Sequence, residues 1–78
     1  MHNLIKKIIL FLSKDGQYEI NENDDLFLLG YLDSMGILEL IAIIESETGN
    51  DFKPEFFMAE NFRTIKAIQK LITRELSD

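Results

Sequence analysis

Cysteine and tryptophan are missing from this 78-residue chain, and histidine and proline occur once each, as His2 and Pro54. Without cysteine there can be no disulfide, no thiolate metal ligand and no cysteine nucleophile. A single histidine at the start of the chain leaves a histidine-based triad or a zinc site almost no material. Long apolar runs are also missing. The apolar stretch at residues 4–12 is well below the ~18 residues of a membrane span. No basic region precedes that stretch and no small-residue cleavage site follows it, so it is not read as a signal peptide, and a cytoplasmic location is expected.

Charge of one sign is locally missing too. Residues 15–52 contain no lysine or arginine, yet hold ten acids: Asp15, Glu19, Glu22, Asp24, Asp25, Asp33, Glu39, Glu45, Glu47 and Asp51. The bases, Lys6, Lys7, Lys14, Lys53, Arg63, Lys66, Lys70 and Arg74, all lie outside that stretch. The net charge of −6 argues against nucleic acid as a partner, because phosphate backbones repel such a surface. The acidic middle should steer basic partners instead.

The 46% apolar content is enough to pack a core and argues against disorder, and the length suits one domain over residues 1–78. Residues 3–13 read as a helix, with Ile5, Ile8, Ile9 and Leu12 as the core stripe, Asn3 as cap and Asp15-Gly16 as stop. Residues 14–33 form a long connection anchored by Leu26, Phe27, Leu28 and Leu29. Its Asn21-Glu22-Asn23-Asp24-Asp25 cluster resembles the start of a calcium loop. That reading fails, because Leu26 stands where the loop glycine is needed and Leu32 where the closing acid is needed.

A second helix is expected over residues 34–48, closed by Gly49-Asn50. Ile37, Leu40, Ile41, Ile44 and Thr48 line its core face. Met35, Leu38, Glu39, Ala42, Glu45 and Ser46 line the other, which reads as a partner-binding surface. Pro54 opens a short helix at 55–58, with Phe56, Phe57 and Phe62 packing it over the core. Thr64 caps a last helix with Ile65, Ile68, Leu71, Ile72 and Leu76 inward and Lys66, Lys70 and Arg74 on a solvated outer stripe. The expected architecture is all-α: a small four-helix bundle of three longer helices and one short one.

Within the string Gly30-Tyr31-Leu32-Asp33-Ser34-Met35-Gly36, Asp33 and Ser34 both suit a helix start. Ser34 should show an exposed hydroxyl at the positive end of the helix, where a phosphate is well held. The competing reading is a helix cap and nothing more. Serine catalysis lacks a base here: no histidine lies near and there is no Ser-x-x-Lys arrangement. The nucleophile-elbow pattern is also absent. A covalently attached phosphate group fits the helix dipole better.

Over nearly its whole length the chain resembles the acyl carrier protein family. The likeness rests on the opening helix, Leu29-Gly30-Tyr31-Leu32, Asp33-Ser34-Met35, Leu38-Glu39-Leu40, Ile44-Glu45, the short helix after Pro54, and Phe62-Arg63-Thr64-Ile65. The resemblance implies that Ser34 carries 4′-phosphopantetheine as a phosphodiester, donated from coenzyme A by a phosphopantetheinyl transferase, with Asp33 helping recognition. The arm would supply the only thiol of a cysteine-free chain. The implied role is that of a monomeric carrier, itself no enzyme. An acyl- or aminoacyl-loading ligase would charge it and a downstream acyltransferase or synthase would unload it. These partners would read Met35, Leu38, Glu39, Ala42 and Glu45.

Fatty-acid carriers commonly show Leu-Gly-x-Asp-Ser-Leu followed by an acid. Here an extra residue separates Gly30 from Asp33, and Gly36 replaces the acid. Those departures, with Glu55-Phe56, look more like D-alanyl carriers and related aminoacyl or specialised-pathway carriers. Two other classes stay open at this point: an acidic helical adaptor in which Ser34 is only a cap, and a small hydrolase using Ser34.

Overall fold

In the computed structural model, which describes residues 2–76, helix α1 runs His2–Leu12. Its core contacts are Leu4, Ile8 and Leu12, at intervals of four, while Ile5 and Ile9 are half-buried. The inward stripe is thus turned by about one residue from the expected one. Asn3 lies inside the first turn, exposed, and does not cap the helix. The stop is where the sequence puts it. Lys14, Asp15 and Gly16 have φ of 54°, 59° and 85°, a left-handed corner that no α-helix can continue through. Buried Ser13 supports this corner, its Oγ accepting from the Gly16 N–H at 3.0 Å.

The connection that follows is tied down through its backbone. Leu26 has no solvent exposure; its N–H donates to the Arg63 carbonyl at 2.7 Å, and its carbonyl accepts from Tyr31 and Leu32 at 2.9 and 3.1 Å. The Asp25 carboxylate accepts from the N–H groups of Leu28 and Phe27 and meets Arg63 at 3.4 Å. Those hydrogen bonds, that of Leu28 foremost, and the Arg63 charge hold the Asp25 carboxyl below its ordinary range. Asp24 likewise accepts from Asn21 N–H. Both aspartates of the cluster thus accept from backbone donors, and among the described residues no group of three His, Cys, Asp or Glu could hold a metal. Of the expected anchor, Leu26 is buried and Phe27 is half-buried against the core, while Leu28 and Leu29 are 82% and 53% exposed.

Helix α2 spans Ser34–Thr48, as expected, and Gly49 closes it at φ 72° with its N–H on the Glu45 carbonyl. Leu40 and Ile44 are fully buried against the core, with Ile37, Ile41 and Thr48 half-buried beside them. Helix α1 packs on α2, and an exposed Lys7–Glu47 ion pair spans the two. Such a pair contributes at most about 1 kcal/mol.

The segment after α2 departs from the expected single short helix at 55–58. Pro54–Phe56 is one 3₁₀ turn, Phe57 and Met58 leave it, and α3 forms separately over Ala59–Phe62. With three residues per turn, Phe57 comes round to the exposed side that Pro54 occupies. Phe57 is therefore 51% exposed, with one side of its ring on those of Phe52 and Phe62 at 6.3 Å between centroids, while Phe56 and Phe62 are buried. Helix α4, Ile65–Leu71, is capped by Thr64, whose Oγ1 accepts from Ala67 N–H at 2.9 Å, and runs on as a π-helical turn over Ile72–Leu76. Ile65, Ile68, Leu71, Ile72 and Leu76 all face inward, and Lys66, Lys70 and Arg74 face water. Over the described residues the fold is an all-helical bundle of four helices. No described helix is long and apolar enough to cross a membrane.

Because Leu26 is fully enclosed, Leu26→Ala should lower unfolding free energy by about 2–5 kcal/mol in urea titration. The neighbouring Leu28→Ala should stay within about 0.5 kcal/mol of the parent. Equal losses in the two variants would show that the connection is not anchored this way.

Candidate functional site

The start of α2 is assembled from the loop side. Leu32 is buried beneath the helix, so the next residue begins the turn at the rim of the core. Asp33 takes extended backbone, φ −130° and ψ −174°, and its carboxylate accepts from the Gly36 N–H at 2.8 Å. Asp33 is the cap. Ser34 is the first helical residue, so the reading of Ser34 as merely a cap does not hold.

Gly36 has a local reason. A Cβ there would lie 3.1 Å from Leu32 Cδ1 and 3.3 Å from Asp33 Oδ1. The bare glycine lets the cap carboxylate and the buried leucine close over the first turn together.

Ser34 is exposed, and its hydroxyl makes no hydrogen bond with the described residues. The first N–H groups of a helix lack partners inside it, and the dipole is positive at this end. Asp33 already satisfies the Gly36 N–H, which leaves the donors of the first turn next to Ser34 for an anion. A phosphodiester on Ser34 Oγ fits: the hydroxyl is uncommitted, open to solvent and at the electropositive end. The other described serines offer less. Ser13 is 2% exposed with its Oγ engaged by Leu10 and Gly16, and Ser46 is exposed but sits in the last turn of α2, at the negative end of the helix.

The outer face of α2 comes together largely as the helical period requires. Met35 and Leu38 are 69% and 57% exposed, and Glu39, Ala42 and Ser46 are exposed beside them. Glu45 differs. It is half-buried, and its Oε2 accepts from the Phe52 N–H at 2.8 Å, fastening the 49–53 connection to the helix. The sequence pattern gave no sign of that second duty, nor of exposed Phe57 and Met58, which add apolar surface from another segment.

The family model described as phosphopantetheine attachment site matches residues 5–72, from the first turns of α1 to the end of α4. Members of that family hold 4′-phosphopantetheine covalently on a serine. No curated protein and no solved structure matches the chain.

The cap assignment separates two adjacent residues. Asp33→Ala should cost about 0.5–2 kcal/mol in stability by denaturant titration. Ser34→Ala, which removes no hydrogen bond, should remain within about 0.5 kcal/mol. The reverse order would return the cap to Ser34.

Proposed function

This chain belongs to the phosphopantetheine attachment site family, and we propose that it is a carrier of acyl or aminoacyl groups with Ser34 as the residue that bears the arm. One observation supports Ser34 above all: its hydroxyl is exposed and unbonded at the first position of α2, directly after a cap made by its neighbour. Asp33 fixes where the helix begins, and through that the direction in which the Ser34 side chain leaves the surface. In attachment from coenzyme A, Ser34 Oγ gains the phosphorus and loses its proton. The P–O bond to the adenosine bisphosphate breaks and that group departs. The attached arm supplies a thiol for thioester formation, which a chain without cysteine cannot provide.

The remaining residues serve recognition. A phosphopantetheinyl transferase would reach Ser34 alongside Met35, Leu38, Glu39 and Ala42. The acids of residues 15–52 would speed its approach by steering a basic docking face. A loading ligase and a downstream acyltransferase or synthase would use the same end in turn, through brief contacts as a shuttle requires. Catalysis would belong to those partners. The likeness of Gly30-Tyr31-Leu32-Asp33-Ser34-Met35-Gly36 and Glu55-Phe56 to D-alanyl and related carriers supports an aminoacyl or specialised-pathway cargo rather than the fatty-acid type.

Incubation with coenzyme A and a promiscuous phosphopantetheinyl transferase should raise the intact mass by one phosphopantetheinyl group, and Ser34→Ala should abolish the gain. No gain in the parent, or a gain that survives in the variant, would overturn the assignment. Glu39→Lys should slow the modification several-fold at low salt, and added salt should slow the parent similarly. Glu39 is the informative position because Glu45 also holds the backbone of Phe52. A rate indifferent to both changes would remove this face from transferase docking.

A further inference from the structure

Beside the start of α2 lies a cleft of about 260 Å³ that the reading above leaves without a role. Its walls are Lys14, Tyr18, Leu29, Gly30 and Tyr31. Tyr31 is three residues before Ser34, so their Cα atoms are at most about 11 Å apart. The two tyrosine rings pack at 5.8 Å between centroids, and Lys14 Nζ sits 5.8 Å over the Tyr18 ring.

We propose that this cleft cradles the phosphopantetheine arm at rest, an inference that depends on attachment at Ser34. The arm combines a phosphodiester, a hydroxyl, a geminal dimethyl group and two amides, and the cleft offers a counterpart to each kind of group. The Lys14 ammonium, which forms no ion pair with the described residues, can donate to amide carbonyls or to the phosphate. The Tyr18 and Tyr31 hydroxyls make no hydrogen bond with the described residues, and each can donate or accept. Leu29, 53% exposed, offers apolar surface for the dimethyl group. Gly30, at φ 80°, has nothing within 4 Å of where a Cβ would stand, so its position adds open space to the cleft.

The corner that carries the cation is the costly part of this wall. Among the described residues Lys14 and Asp15 are the non-glycine ones with positive φ, a conformation in which an L side chain crowds the backbone. Strain of this kind persists where surrounding structure fixes it, and it concentrates at functional sites. Here it turns Lys14 back over Tyr18 and into the cleft. Lys14 is also the last base before the basic-free stretch, so an arm leaving Ser34 toward this side meets a cation in otherwise acidic surroundings.

Tyr18 and Tyr31 are the only tyrosines and there is no tryptophan, so intrinsic fluorescence reports on this cleft alone. Acrylamide quenching is compared between the unmodified protein and samples whose intact mass shows the arm attached. The quenching constant should fall by about half on attachment, in keeping with the burial a seated ligand provides. In arm-bearing Lys14→Gln it should return toward the unmodified value. Equal constants for arm-free and arm-bearing protein would overturn the cradle. Protection that survives both Lys14→Gln and Leu29→Ala would place the arm elsewhere and overturn it too. Absence of any mass gain would instead strike the attachment reading itself, and the cradle with it.

Discussion

The burial of Leu26 is the contact on which the rest of the site depends. Its side chain is sealed in the core while its backbone holds three hydrogen bonds, one to Arg63 and two from Tyr31 and Leu32. Those bonds draw together the junction of α3 with α4 and the residues just ahead of α2. With Tyr31 and Leu32 fixed, Leu32 is buried, Asp33 can only begin the helix, and Ser34 emerges at its positive end. A long connection without such an anchor would leave the helix start, and the serine on it, free to shift register.

Around that anchor the molecule separates its chemistry by location. Structure is carried by the inward stripes of α1, α2 and α4 and by Phe56 and Phe62. The residues proposed for recognition, Met35, Leu38 and Glu39, stand exposed on the outer face of α2. Exposed apolar side chains among acids suit short-lived docking, since charge speeds the encounter while modest apolar area permits release. The bases Lys66, Lys70 and Arg74, outside the acidic stretch in sequence, line the exposed side of α4 and of the π-helical turn that follows it.

Much of this was legible in the residues, and the failures have physical causes. Helix α2 could be placed to the residue because Asp33 and Gly49 are strong, local boundary signals. The start of the final helix and its inward residues were plain from Thr64 and the apolar period, whereas the change to a π-helical turn at Ile72 had no signal in the pattern. The α1 stripe came out rotated because Leu4 and Ile5 are both apolar, and periodicity cannot choose between neighbours. Asp33 and Ser34 posed the same problem at the cap, and only the bond to Gly36 decides it. Helix α3 is four residues long, too short to carry a period. The inward turn of Glu45 and the meeting of Lys14 with Tyr18 and Tyr31 arise from tertiary contacts and a left-handed corner, of which Asp15-Gly16 was the sole trace.

The central claim, that chemistry is attached at Ser34 and performed elsewhere, can be read directly from protein purified out of its own host. Trypsin cannot cut between residues 15 and 52, so Ser34 and Ser46 leave on one fragment and Ser13 on another. Fragmentation of the long peptide in a mass spectrometer then locates any phosphopantetheine, with its cargo as thioester. The structure predicts the modification on Ser34. Its presence on Ser46 or Ser13, or a peptide with Ser34 bare in every copy, would contradict that account.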